Sequence, residues 1–176
     1  MKRKIGELIL IVFLYLIQST YGRYIEIGGI TPNLLIIVPV LFGFLNGKNE
    51  GIYVGLVSGL LYDLLFNNII GFTALIFMYV GYFAGCYYKK YEESEMLFPL
   101  LILLLGNISF EFISYIGNFL LHNKLDILYY MSRIVIPEVV YTIFVTIIIY
   151  KPLVFLNAKL ESKDKRRVKN FDQEHI

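Results

Sequence analysis

The chain has very few of the residues on which disulfide-rich, metal-binding and nucleophilic proteins depend. Its 176 residues include one cysteine, Cys86, and two histidines, His122 and His175. A single cysteine excludes a disulfide framework, a paired-cysteine metal site and a CxxC redox motif. Neither histidine has neighbours in sequence that suit a metal site or a nucleophile–base pair. We therefore expect no catalytic residues, no metal and no cofactor.

Charged residues are also scarce, at 17% of the chain against 57% hydrophobic residues. This hydrophobic fraction is larger than the core of a soluble domain needs, and it indicates a membrane protein. A helix needs about 20 apolar residues to cross roughly 30 Å of hydrocarbon. Six runs approach that length, at residues 5–21, 31–45, 51–66, 71–88, 97–121 and 132–150. The sequence predicts an all-α, polytopic bundle of six transmembrane helices in one domain over residues 1–150.

The basic residues divide unevenly between the two sets of loops that six spans create. The N-terminus, the turn at 46–50, the loop at 89–96 and the C-terminal tail hold 13 of the 16 lysines and arginines. The other set holds only Arg23, Lys124 and Arg133. Because lysine and arginine in short loops stay on the cytoplasmic side, this division predicts that both termini are cytoplasmic.

A basic tail over residues 151–176 follows the last predicted span. It carries a juxtamembrane cluster of five positive charges, at Lys163, Lys165, Arg166, Arg167 and Lys169. Such a cluster helps to fix the topology and attracts anionic lipids. No aromatic platform or recognition module accompanies it, so we expect no nucleic-acid binding.

Glycine recurs at every fourth position where the third span begins, at Gly47, Gly51, Gly55 and Gly59. Lipid gives no hydrophobic drive for helices to associate, and small residues at this spacing let two backbones approach closely. The pattern predicts a helix-packing ridge, and Gly81 and Gly85 in the fourth span offer a complementary face. The sequence leaves open whether the ridge holds a helix of the same chain or a partner protein.

A buried polar cluster is predicted inside the bundle. Three acidic residues lie inside predicted spans, Asp63, Glu111 and Glu138, and burying each of them costs free energy unless it faces protein or water. In the fifth span Asn107, Ser114 and Asn118 share the face of Glu111. Three interpretations stay open: hydrogen bonding between helices, a site for a ligand, proton or ion, and a surface that docks a partner.

The start of the second span has a recognisable local pattern. Thr31 suits a helix cap, and Pro32 suits the first helical position, where its missing N–H costs nothing. The segment "TPNLLIIVPV" and the later segment "EGIYVGLVSGLLYDLLFNNIIGFTAL" resemble the MreD family of bacterial rod shape-determining membrane proteins. The positions that carry the resemblance are Pro32, Asn33, Gly51, Gly55, Gly59, Leu60, Asp63, Gly71, Ala74 and Leu75.

The resemblance implies a non-enzymatic scaffold subunit in the bacterial cytoplasmic membrane. Such a subunit pairs with MreC, a single-span protein, and works with MreB, RodA and a class B penicillin-binding protein to direct peptidoglycan synthesis along the side wall. It also implies a partner-binding or helix-packing role for Pro32, Asn33 and Gly71. The resemblance assigns no role to Glu111 or Glu138.

An alternative follows from the six-helix arrangement, which is similar to that of the substrate-binding subunits of energy-coupling-factor vitamin transporters. In that case Asp63, Glu111 and Glu138 would surround a pocket that faces outwards. The turn at residues 67–70 is short for a lid over such a pocket, which favours the scaffold.

Overall fold

Nearly all of the described chain is helical. The structure is a computed structural model that describes residues 2–22, 24, 26, 29–66, 70–88, 97–122 and 127–174, with the backbone alone at 2, 117–122, 127–128 and 161–174. No β-strand lies in these ranges, which confirms the all-α prediction. The helices are α1 (Lys2–Tyr21), α2 (Leu34–Asn46), α3 (Lys48–Phe66), α4 (Phe72–Gly85), α5 (Leu97–His122), α6 (Ile127–Tyr130) and α7 (Ile136–Glu174). A π-helical segment, Met131–Val135, joins α6 to α7 without a break.

Three stretches of the described chain are long and apolar enough to cross a membrane, which supports the prediction of a membrane protein. They are Arg3–Tyr21 in α1, Leu97–Ile116 in α5 and Met131–Leu160 in the last helical run. The helices α2 and α4 are apolar but have only 13 and 14 residues. At about 1.5 Å per residue they are shorter than the hydrocarbon layer. The third predicted span corresponds to α3, in which Lys48, Glu50 and Asp63 reduce the apolar character.

The centre of the bundle is α2. Every residue from Leu34 to Leu45 is buried, and α2 contacts α1, α3, α4, α5 and α7. A helix that is apolar on all sides belongs in a core rather than at a surface. The surrounding helices keep many large apolar side chains exposed, among them Ile9 on α1, Leu105 on α5 and Phe144 on α7. This distribution suits a bundle surrounded by lipid.

The start of α2 differs from the expectation that Thr31 caps it and Pro32 is its first residue. Asn33 is the N-cap, and its Oδ1 accepts a hydrogen bond from the backbone N–H of Ile36 at 3.2 Å. The helix therefore begins at Leu34, and Pro32 lies before it in non-helical backbone. Asparagine is as good a cap as threonine, and here its side chain is the one within reach of the third helical N–H.

The turn between α2 and α3 also departs from the sequence prediction. Gly47 is not part of the helix that carries Gly51, because it forms the C-cap of α2 with a φ of 99°. Its N–H donates to the Gly43 carbonyl at 2.8 Å, and α3 begins at the next residue, Lys48. A one-residue connection between two helices needs a backbone conformation that glycine adopts without strain. The glycine ridge on α3 therefore has three members rather than four.

The last helix runs beyond the predicted span. The sixth span was expected to end at residue 150, but α7 continues through Pro152 to Glu174, so the basic tail is helical where the structure describes it. Upstream, the Ile136 N–H bonds to the Met131 carbonyl, one residue further back than in an α-helix. Pro137 follows directly and has no N–H to donate. We attribute the widened turn to this proline, because π segments form where the regular hydrogen-bond ladder is interrupted.

Candidate functional site

The glycine ridge on α3 is covered by α4 of the same chain. A Cβ atom at Gly51 would collide with the Gly81 carbonyl, one at Gly55 with the Phe77 carbonyl, and one at Gly59 with the backbone of Ala74. The two helices thus touch through their backbones over three successive turns of α3. Close backbone contact of this kind is what small residues at four-residue spacing allow in membranes.

The complementary glycines on α4 lie where the sequence suggested. A Cβ at Gly81 would collide with the backbone of Gly51, and one at Gly85 would lie against the backbone of Gly47 and Lys48. Gly47 therefore also contacts α4, although from the turn rather than from the helical ridge. We call the contact between α3 and α4, centred on Gly51, Gly55 and Gly59, the glycine seam.

A third helix joins the seam at a glycine that the sequence analysis missed. A Cβ at Gly43 of α2 would collide with the Gly81 carbonyl, and a Cβ at Gly51 would lie 2.9 Å from the Gly43 Cα. Three helix backbones thus meet at Gly43, Gly51 and Gly81. Gly43 precedes Gly47 by four residues, so the same spacing could have revealed it.

Asp63 links the end of α3 to the start of α4. Its carboxylate is fully buried and accepts hydrogen bonds from the backbone N–H groups of Gly71 at 2.8 Å, Thr73 at 3.1 Å and Ala74 at 3.3 Å. A negative charge is stabilised by the unpaired N–H groups and the dipole at a helix N-terminus. Gly71 is the N-cap residue, with a φ of 99° that suits glycine. Asp63 therefore acts as a helix cap supplied by the preceding helix.

Two of the predicted polar residues, Glu111 and Glu138, come together between α5 and α7. Glu111 is 5% exposed and accepts a hydrogen bond from the Tyr130 hydroxyl at 2.8 Å. Glu138 lies in the first turn of α7, close enough to Glu111 for their charges to interact. We call Glu111, Tyr130 and Glu138 the carboxyl cluster. Tyr130 was not among the candidate residues, because a tyrosine near a span end is ordinarily an interfacial anchor.

The remaining members of the predicted polar face have different positions. Asn107 is fully buried, and among the described residues neither its Nδ2 nor its Oδ1 has a hydrogen-bond partner. Ser114 is half-buried on α5. The side chain of Asn118 lies outside the described residues. The structure therefore places Glu111 near Glu138, whereas Asp63 bonds to the N-terminus of α4.

A second charged cluster, also missed from the sequence, lies between α1 and the start of α3. Glu7 is fully buried, and its Oε1 accepts from Arg3 Nε at 2.8 Å. Arg3 Nη2 also lies 3.9 Å from Glu50 Oε2. Glu7 lies inside the first predicted span. Like Asp63, Glu111 and Glu138 in the other spans, it is an acidic residue that the sequence alone identifies as costly to bury. Buried ionic groups that pair across helices fix their relative positions.

Amide and hydroxyl side chains join α2 to its neighbours at both ends. Gln18 Oε1 on α1 accepts from the Leu34 N–H at 3.0 Å, and Thr142 Oγ1 on α7 accepts from the Asn33 N–H at 3.0 Å. At the other end of α2, Asn46 Nδ2 donates to Asn157 Oδ1 on α7 at 2.9 Å. Asn33 is thus both the cap of α2 and its contact with α7.

The described residues contain no group of three histidine, cysteine or acidic side chains placed to hold a metal ion. Cys86 is a free thiol at the C-cap of α4. The polar groups described above instead bond to helix termini and to one another. The chemistry that this arrangement supports is the association of helices.

We predict that Gly55→Leu destabilises the protein, because its side chain would need the space that the Phe77 backbone occupies. Overpacking costs typically 1–3 kcal/mol, and a backbone cannot yield as a side chain can, so we expect about 3 kcal/mol. The measurement is thermal unfolding of the purified chain in mild detergent. The matched control is Leu56→Phe, which enlarges an exposed residue of the same helix. Equal unfolding midpoints for Gly55→Leu and the wild type would contradict the seam.

We predict that Asp63→Ala lowers the free energy of unfolding by about 2 kcal/mol, because the N–H groups at the start of α4 lose their acceptor. Asp63→Asn should fall between Ala and the wild type, since it keeps one acceptor oxygen but no charge. Thermal unfolding in detergent again measures the change, with Glu26→Ala at an exposed position as the control. A loss with Asn as large as that with Ala would argue against a capping role.

One comparison with known proteins matches this chain. A family model described as "rod shape-determining protein MreD" matches residues 1–160. No curated protein and no solved structure matches the chain. The family match includes the glycine seam, Asp63 and the carboxyl cluster, and it extends over most of α7. The chain therefore belongs to the MreD family, whose members take part in determining rod shape.

Proposed function

We propose that this chain is a non-enzymatic scaffold subunit in the cytoplasmic membrane of a bacterium, within the machinery that elongates rod-shaped cells. The observation that carries the proposal is the family match over residues 1–160. The fold supports it, because the polar groups of the described part are used mainly to hold helices together. The proposed partner is an MreC-like single-span protein, with MreB, RodA and a class B penicillin-binding protein in the same complex.

We infer a topology of six membrane crossings with both termini in the cytoplasm. The division of basic residues, 13 to 3 between the two sets of loops, supports this orientation. Each predicted span corresponds to a helix of the structure. The short helix α2 is buried inside the bundle, whereas α4 packs against α2 and α3 and exposes Leu75, Tyr79 and Phe83 on its other side. A bundle domain over residues 1–150 and a basic tail at residues 151–176 that contacts anionic lipids remain part of this proposal.

The structure changes where a partner is expected to bind. The glycine ridge was a candidate docking groove, but α4 of the same chain covers Gly51, Gly55 and Gly59. We therefore assign the ridge to packing within the chain. Partner helices are expected on faces that stay exposed, such as the side of α1 that carries Ile5, Ile9 and Phe13.

The alternative, a substrate-binding subunit of a vitamin transporter, gains no support. Its pocket was to be formed by Asp63, Glu111 and Glu138, but Asp63 accepts its hydrogen bonds from the backbone at the start of α4. The family model that matches residues 1–160 is described as a rod shape-determining protein. We do not propose this function.

We predict that the tagged chain, purified from native membranes in mild detergent, co-purifies with an MreC-like coiled-coil protein. Mass spectrometry of the eluate makes the identification, and another tagged multi-pass protein from the same membranes controls for non-specific capture. Depletion of the chain should make rod-shaped cells wider and rounder, and plasmid-borne wild type should restore them. Recovery of ATPases with a large membrane coupling subunit, together with unchanged cell shape, would contradict the proposal.

A further inference from the structure

An apolar groove runs beside the glycine seam, between α3 and α4. Its volume is about 330 Å³, and it is lined by Ile52, Leu75, Met78, Tyr79 and Tyr82. Leu75 and Tyr79 are 56% and 59% exposed, so the groove opens towards the surrounding lipid rather than into the bundle. From Leu75 to Tyr82 the helix rises about 10 Å, at ~1.5 Å per residue. The groove therefore suits a narrow apolar group about two helical turns long.

A second cavity lies where α4 ends and α3 begins. Its volume is about 410 Å³, and its lining includes the polar side chains of Asn46, Lys48 and Asn49. The close approach of Gly85 to the Lys48 backbone in the glycine seam keeps these two helix ends together. In the topology proposed above, this turn is cytoplasmic. The polar cavity therefore lies at the level of the lipid headgroups of the cytoplasmic leaflet.

Lys48 connects the two cavities. It lines the polar cavity, and its Nζ lies over the ring of Tyr82 in the groove, 5.4 Å from the ring centroid. The ring attracts the ammonium group and so favours its position at the end of the groove. Lys48 is exposed, and no carboxylate among the described residues forms an ion pair with it, since Glu50 lies near Arg3 instead. Its positive charge is thus available to an anionic ligand.

We propose that the groove and the polar cavity together bind one anionic phospholipid of the cytoplasmic leaflet. One acyl chain lies in the groove, and a phosphate oxygen of the headgroup accepts a hydrogen bond from the Lys48 ammonium. A narrow apolar groove with a positive charge at one end matches a hydrocarbon chain joined to an anionic headgroup, and it does not match the uniformly apolar surface of a partner helix. The inference uses the proposed topology, but it goes beyond the proposed scaffold function and does not rest on it.

Both helices of the glycine seam contribute to this lipid site. Ile52 belongs to α3, and the other residues that line the groove belong to α4. The site therefore exists only where α3 and α4 are packed together, and a lipid bound there stabilises the folded bundle. The basic tail differs from this site, because it is proposed to attract anionic lipids through its charge alone.

The first test uses fluorescence quenching by brominated lipids, because the chain has no tryptophan and a single introduced one is an unambiguous reporter. Tyr79→Trp places the reporter in the groove, and Phe83→Trp, exposed on the same helix outside the groove, is the matched control. Each full-length variant is reconstituted in bilayers, and quenching by brominated phosphatidylglycerol is compared with quenching by brominated phosphatidylcholine. We expect phosphatidylglycerol to be favoured about fivefold in Tyr79→Trp, the effect of one lysine near an anionic headgroup, and not in Phe83→Trp.

Removal of one charge tests the role of Lys48 directly. Lys48→Gln, added to the Tyr79→Trp chain, should make the two brominated lipids equally good quenchers. Lys4→Gln is the matched control, because the Lys4 Nζ also lies over a tyrosine ring, that of Tyr53 at 4.6 Å, but Lys4 lines neither cavity. A preference that survives Lys48→Gln, or the same preference at both reporters, would overturn the proposal. Shielding of the groove reporter from both lipids would show that protein covers the groove and would also contradict it.

The second test needs no tryptophan. Thermal unfolding in mild detergent is followed for the wild type, Lys48→Gln and Lys4→Gln as phosphatidylglycerol or phosphatidylcholine is added. A ligand that binds only the folded chain raises the unfolding midpoint, so phosphatidylglycerol should raise it more in the wild type and Lys4→Gln than in Lys48→Gln. Inorganic phosphate at the same concentration should have no effect, because burial of the acyl chain contributes to binding. Equal rises in all three chains, or a rise with phosphate alone, would contradict the lipid site.

Discussion

The contact of two helix backbones along the glycine seam is the constraint on which the rest of the bundle depends. With no side chains between them at Gly51, Gly55 and Gly59, α3 and α4 pack as one unit, and Gly43 brings α2 against the same point. Van der Waals packing of this kind drives helix association where lipid provides no hydrophobic effect. Because α2 is buried from Leu34 to Leu45, the remaining helices pack around a centre formed by α2, α3 and α4.

Polar groups complete the arrangement by joining the ends of helices. Asp63 bonds the end of α3 to the start of α4, Gln18 and Thr142 bond to the start of α2, and Asn157 bonds to its end. Each partner is a backbone amide or another side chain that would otherwise lie unsatisfied in an apolar medium. Glu111 differs from these groups, since its hydrogen-bond partner is the Tyr130 hydroxyl rather than the end of a helix.

Much of this structure follows from local pattern in the sequence. The helices follow from the apolar runs, and Gly81 and Gly85 were expected opposite the α3 ridge because close packing needs small residues on both sides. The burial of Asn107 and Glu111 on one face of α5 was expected from the helical spacing of polar residues. These features depend on periodicity, which a single sequence displays.

Periodicity does not determine other features, such as which of two nearby residues caps a helix or forms a turn. Thr31 and Asn33 are both good caps, and only the position of the Ile36 N–H selects Asn33. Gly47 fits the four-residue spacing but lies in the turn after α2, because its positive φ ends that helix. The predicted span ended at residue 150 because the apolar run ends there. The helix α7 continues beyond it, since polar residues also form helices. Glu7 was overlooked although it lies in an apolar run, and its role depends on Arg3 and on Glu50 of another helix.

In this structure α4 of the same chain, and not a partner, covers the α3 ridge. Oxidative cross-linking tests it in a Cys86→Ser background with Ile52→Cys on α3 and Met78→Cys on α4, two residues that line one groove beside the seam. Ile52→Cys with Leu105→Cys, an exposed residue of α5, is the control pair. We expect a disulfide within single chains for the first pair and none for the second. Cross-links only between chains, or none for the first pair, would contradict it.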